Sequence, residues 1–173
     1  KRGLLKKAVS LAESSDIAIV CLGLDATYEG EEGDANNPYC AGDRKTIEII
    51  DAQLELLRAV REVNDKVILL MFCGGAVAFG EAKDLSDAIF NCWYPGELGG
   101  KAIAELLFGE YSPCGKLPVT VYSSTDDLPD FNDYSMKNRT YRYFEGTPEY
   151  PFGFGLSYTK FDYSELLREE SDG

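Results

Sequence analysis

Histidine is absent from the 173 residues. That excludes Ser-His-Asp and Cys-His nucleophile pairs, His₃ and HExxH zinc sites, and any imidazole proton shuttle. Positive charge is scarce as well: 17 Lys and Arg face 30 Asp and Glu, for a net charge of −13. A field of that sign does not suit nucleic acid or an anionic membrane surface. Long apolar runs are missing; stretches such as Val67 to Phe72 are far short of a bilayer span. The five cysteines, Cys21, Cys40, Cys73, Cys92 and Cys114, contain no CxxC pair and lack basic neighbours that would activate a thiolate. Cys21, Cys73 and Cys92 read as small buried hydrophobes, with one disulfide still open. Acid–base chemistry near neutrality therefore falls to carboxylates, Tyr, Cys or Lys.

What is present is an ordinary globular composition, 45% hydrophobic and 27% charged, of a size for one domain with a full core. Leu4, Leu5, Ala8, Leu11 and Ala12 fall on one helical face. Asp16 to Leu22 is an apolar strand of the kind covered on both sides. Thr46 to Val63 returns to helical spacing through Ile47, Ile50, Leu54, Leu57 and Val60. Lys66 to Phe72 and Ala88 to Cys92 read as further strands, and Glu97 to Phe108 as a short helix. Lys116 to Tyr122 is strand-compatible, and from Ser123 the chain is loop-like, rich in Asp, Pro and aromatics. The expected fold is α/β: a three-layer sandwich around a mostly parallel sheet, spanning 1–173 as a single domain, with a long irregular C-terminal tail.

In such sheets ligands lie beyond the carboxyl ends of the strands, and long structureless loops are usually functional. Both rules point to residues 23–44. Tyr28-Glu29-Gly30-Glu31-Glu32-Gly33-Asp34 places four carboxylates in seven residues. Three readings stand: a solvated acidic face, a calcium site, although EF-hand spacing is absent, or a general acid. Crowded carboxylates cannot all ionise together, so one can keep its proton near neutral pH. Gly109 to Lys116 resembles a P-loop, but its glycine spacing is wrong and Leu117 replaces the magnesium-binding hydroxyl. Asn138-Arg139-Thr140 is a glycosylation sequon by letter only.

Cys21-Leu22-Gly23-Leu24, Tyr28 to Asp34, Gly42-Asp43-Arg44, Trp93 to Gly100, Leu107 to Thr120, Arg139 to Phe144 and Tyr150 to Tyr158 together resemble the second domain of glycoside hydrolase family 3. The resemblance runs from about Asp16 to Ser164. It implies a retaining β-glycosidase acting on β-linked sugars at the non-reducing end, of the β-xylosidase or β-glucosidase kind. Its partners would be a β-linked oligosaccharide or aryl glycoside and an N-terminal (β/α)₈ barrel of the same polypeptide. The barrel would supply an aspartate nucleophile, and this domain the acid/base glutamate. The family's Glu-x-Glu pattern maps that role onto Glu31, with Glu29 and Glu32 as competitors. Asp43 and Arg44 would anchor the loop by an ion pair.

Trp93 could stack on a sugar or serve as a buried anchor, and Glu97 could cap the next helix through its dipole. The longer acidic insertion, with Asp34 to Cys40 before Gly42-Asp43-Arg44, resembles the β-xylosidase-like branch. No cofactor or metal is implied, nor a nucleic-acid or membrane partner. The chain reads as a piece of a longer enzyme, inactive alone, periplasmic or secreted, with a cytoplasmic location open. The alternative is a non-catalytic carbohydrate- or calcium-binding module.

Overall fold

The computed structural model describes residues 2–26, 28–29 and 44–166. Its elements are helix α1 (Arg2–Glu13), strand β1 (Ala18–Gly23), helix α2 (Asp51–Arg61), strand β2 (Val67–Phe72), strand β3 (Ala88–Asn91), helix α3 (Gly99–Leu107) and a single turn, α4 (Thr140–Tyr143). The three strands form one sheet in the order β1-β2-β3, and both pairings are parallel. Ala18 stands opposite Val67, Val20 opposite Leu69 and Leu22 opposite Met71. These residues share one face and meet Ala12, Leu57 and Val60 of α1 and α2 in the core. The α/β class and the parallel sheet are as the sequence predicts.

The inward face of α1 is Leu5, Ala8, Val9 and Ala12, spaced i, i+3, i+4, i+7. Leu4 and Leu11, expected on that face, are exposed. Asn64 joins the end of α1 to the turn before β2. Its amide donates to Ala12 O and Ser15 O, both at 2.8 Å, and its side-chain oxygen accepts from Lys66 N at 2.8 Å. This buried polar side chain thereby adds a bond to Ala12 O, which also accepts from Ser15 N at 3.2 Å, and takes up Ser15 O just beyond the helix end.

Four local expectations are corrected. The helix expected from Thr46 begins only at Asp51. Ile47 to Ile50 match helical spacing, yet the segment is extended: Glu48 bridges Ala78 in parallel, Ala78 N donates to Ile47 O, and Ile47 N donates to Thr125 Oγ1. β1 is buried on alternate residues only: Ala18, Val20 and Leu22 face the core, while on the opposite face Ile19 is 50% exposed and Cys21 is exposed. Lys116 to Tyr122 is not a strand, since Pro118 lacks an N–H; a single antiparallel bridge links Val121 to Tyr150. The Glu97 cap is absent: Leu98 holds the cap position of α3 without a side-chain bond, and Glu97 is exposed.

Beyond α3 the chain is the irregular tail expected; Tyr150 packs against the core with its ring edge-to-face on Phe79, Val121 is buried, and polar contacts fasten the rest. Thr125 donates through its amide and hydroxyl to the two oxygens of Glu48, each at 2.7 Å. The Glu149 carboxylate, 2% exposed, accepts from Phe79 N at 2.6 Å and Gly80 N at 2.9 Å and pairs with Lys83 at 3.0 Å. Among the described residues no helix is long and apolar enough to cross a membrane.

Candidate active site

Parallel pairing brings the carboxyl ends of all three strands to one edge. At the end of β1 there is no room for a side chain: a Cβ on Gly23 would lie 2.1 Å from Phe72 O. The Gln53 side chain from α2 closes both backbone groups of Gly23, accepting from its N–H at 3.1 Å and donating to its carbonyl at 2.5 Å. Leu24 N then bonds Phe72 O at 2.8 Å, so the exit of the chain from β1 is fixed before the acidic segment begins.

Glu29 lies at the centre of this edge. One carboxylate oxygen faces Arg44 Nε at 3.3 Å; the other accepts from the Tyr94 hydroxyl at 2.8 Å. Tyr94 lies just past β3 and also reaches Leu24 O at 3.0 Å. A phenol has one proton, so it is shared between the two acceptors. Burial, then the bond to Glu29 and its charge, pushes the Tyr94 phenol up, which keeps it a donor. Arg44 Nη2 donates to Ala76 O at 2.9 Å, and Arg44 Nη1 is buried without a hydrogen-bond partner.

The floor under these groups is Gly74-Gly75. A Cβ on Gly74 would lie 2.7 Å from the Tyr94 ring, and one on Gly75 would lie 3.3 Å from Arg44 Nη2. Glycine here lets the ring and the guanidinium approach the backbone closely. Glu29, Arg44, Ile47 and Gly75 line an open cleft of about 340 Å³.

Trp93, the candidate stacking residue, is half-buried with φ = 53°. A left-handed conformation in a bulky aromatic costs about 1–3 kcal/mol and tends to occur at functional sites. Here it marks the turn from which Tyr94 meets Glu29. Cys73 lies near the same cluster; burial, then the Glu29 charge, pushes its thiol up to about 11. Burial does the same for Cys92, also to about 11. Both are protonated at neutral pH and unfit as nucleophiles. The four described cysteines are free thiols, and Cys21, expected buried, is exposed.

Glu31 and Glu32 lie outside the described residues, as do Asp34 and Asp43. Among the sequence candidates, Glu29 is therefore seen at the site, with Trp93 one residue from its tyrosine partner. Arg44 is an anchor as expected, but its partner is Glu29. Tyr94 and Gly74-Gly75 join the site from outside the sequence candidates; their signal is a Gly-Gly pair and a Trp-Tyr-Pro-Gly turn, each just after an apolar strand. Among the described residues no group of three or more Cys, Asp or Glu could hold a metal ion.

The chain is 46% identical over 152 residues to a xylan 1,4-beta-xylosidase of Xylanibacter ruminicola, covering 87% of this chain and 18% of that protein. It is 31% identical over 177 residues to a periplasmic beta-glucosidase of Salmonella typhimurium, covering 95% of this chain and 22% of that protein. The crystal structure of beta-D-glucoside glucohydrolase from Trichoderma reesei superposes with a TM-score of 0.80 at 29% identity, covering 93% of this chain and 24% of that one. The chain thus spans about a fifth of the length of the relatives it matches. The model of the glycosyl hydrolase family 3 C-terminal domain matches residues 2–158, and the chain belongs to that family.

Proposed function

We propose that this chain is the acid/base domain of a retaining β-glycosidase, of the xylosidase or glucosidase kind, that removes β-linked sugars from non-reducing ends. Glu31 is the proton donor. The carrying observation is the pairing of the two residues that flank the acidic segment: Glu29, six positions past the end of β1, and Arg44 are ion-paired at 3.3 Å. Both flanking residues thus lie at the strand edge where α/β sheets bind ligands.

The chemistry needs two carboxylates about 5–5.5 Å apart. Glu31 gives its proton to the glycosidic oxygen as the C1–O bond breaks, and the leaving oxygen keeps the bonding pair. An aspartate on an N-terminal (β/α)₈ barrel of the same polypeptide bonds to C1 from the opposite face. Glu31, now a carboxylate, takes a proton from water, whose oxygen attacks C1 and releases the aspartate. Two displacements at C1 retain its configuration. This sequence of steps uses no histidine, metal or cofactor.

The 46% identity to a protein named for xylan 1,4-β-xylosidase activity supports xylosides as first substrates to assay. The relative named as periplasmic supports a periplasmic or secreted location. In the full-length enzyme, Glu31→Gln should slow xylobiose hydrolysis by about 10²–10⁴-fold, the usual range for a general acid. The loss of glycosylation rate should be far smaller on dinitrophenyl xyloside, whose leaving group needs no proton. Unchanged xylobiose hydrolysis removes Glu31 from the role. The isolated chain should hydrolyse neither substrate.

A further inference from the structure

We propose that Glu29, Arg44 and Tyr94 form a clamp that positions the acidic segment, with Glu29 a positioning carboxylate rather than the proton donor. The inference rests on the reading of Glu31 as the acid and deepens it by separating Glu29 from Glu31. Glu29 and Arg44 flank the fourteen residues 30–43 on their two sides. Their ion pair is well shielded, with side chains 26% and 18% exposed, so it is less screened than a surface pair.

The clamp reaches all three strand ends. Glu29 follows β1, Arg44 bonds the Ala76 carbonyl past β2, and Tyr94 follows β3 and bonds both Glu29 and the Leu24 carbonyl. Gly74 and Gly75 leave the ring and the guanidinium room to sit against the backbone. Each Glu29 oxygen therefore faces a donor that carries its own proton. That arrangement suits a carboxylate acting as acceptor twice, whereas a general acid must hold a proton and aim it at the substrate. Holding both sides of a long segment also removes much of the freedom that would otherwise misplace a group carried on it. A misplacement of about 1 Å can cost roughly 10²-fold in rate.

The test is a double-mutant cycle in the full-length enzyme that carries this chain, with xylobiose as substrate and thermal unfolding recorded for every variant. Glu29→Gln and Arg44→Met should each lower kcat by about 10- to 100-fold with little change in KM. The double variant should be no more than a few-fold worse than the worse single variant, because both remove one interaction. Arg44→Lys, which keeps the charge but not the planar fork, should recover part of the loss. The basic limb of the kcat/KM–pH profile should persist in Glu29→Gln, since the proton donor is still there. Two results overturn the clamp: losses at 29 and 44 that multiply as independent effects, or a Glu29→Gln enzyme that loses its basic limb and yields glycosyl azide with added azide. An unaltered Glu31→Gln enzyme would remove the acid assignment alone; coupled losses at 29 and 44 with the limb intact would still support the clamp.

Discussion

The two halves of this chain are held by different forces. From α1 to α3 the structure rests on apolar burial: Leu57, Val67 and Leu69 are 0% exposed, and Met71 and Cys73 lie beside them. From Gly109 onward, Phe131, Tyr134 and Tyr163 are largely exposed. That part is fixed by the Glu48–Thr125 and Glu149–Phe79/Gly80 bonds and by one apolar anchor, the bridged pair of buried Val121 and core-packed Tyr150. Apolar burial is non-directional and cumulative, so it sets the stability of the sheet. Hydrogen-bonded carboxylates are directional and few, so they set where the tail lies. The site draws on both, because a buried sheet fixes the strand ends and a carboxylate, Glu29, links the segments that leave them.

The contrast breaks most visibly in the core. Leu57→Ala should lower unfolding free energy by about 2–5 kcal/mol in denaturant titration, through lost burial and the cavity left behind. A loss below about 1 kcal/mol would mean that the packing around α2 is looser than described. Glu149→Gln sets an amide N–H₂ against one of two backbone N–H groups and removes the partner of Lys83; about 1–3 kcal/mol is expected. Hydrogen exchange should locate that loss around Phe79, Gly80 and Val121 before it reaches β2.

Acid should sharpen the same distinction. Burial disfavours the charge on Glu48, but the Thr125 hydroxyl and amide bonds outweigh it and hold the carboxyl below its ordinary value. The folded chain then binds fewer protons than the unfolded one in that window. The contribution is complete above the unfolded pKa and is lost as pH falls through the folded one. Removing the hydroxyl bond with Thr125→Val, which leaves the amide bond in place, should flatten the stability–pH curve in part, and an unchanged slope would discount the hydroxyl contact. At the small end, Tyr134→Ser on the exposed tail should change stability by less than about 0.5 kcal/mol.

Much of this was legible in the sequence, for physical reasons. β1, β2 and β3 are short apolar runs bounded by polar or glycine residues, and parallel pairing follows from the helix between β1 and β2. The length of the acidic segment and its position after a strand point to this strand edge, where its flanking residues Glu29 and Arg44 meet Tyr94. Ile47 to Ile50 misled because apolar spacing alone cannot tell a helix from an extended segment whose partners, Ala78 and Thr125, are distant in sequence. β1 misled because a continuous apolar run does not reveal that only one face of the strand is covered. Arg44 is legible as an ion-pair anchor, but its partner Glu29 is fifteen positions away and nothing in the spacing links them. Tyr94 is sixty-five positions from Glu29, and only the sheet brings them together.

The most direct measurement is product analysis of the full-length Glu31→Gln enzyme turning over dinitrophenyl β-xyloside in azide. Without the carboxylate to activate water, azide should capture the glycosyl–enzyme intermediate and give β-xylosyl azide with retained configuration. Glu29→Gln under the same conditions should give only xylose. Xylosyl azide from Glu29→Gln and none from Glu31→Gln would contradict the account.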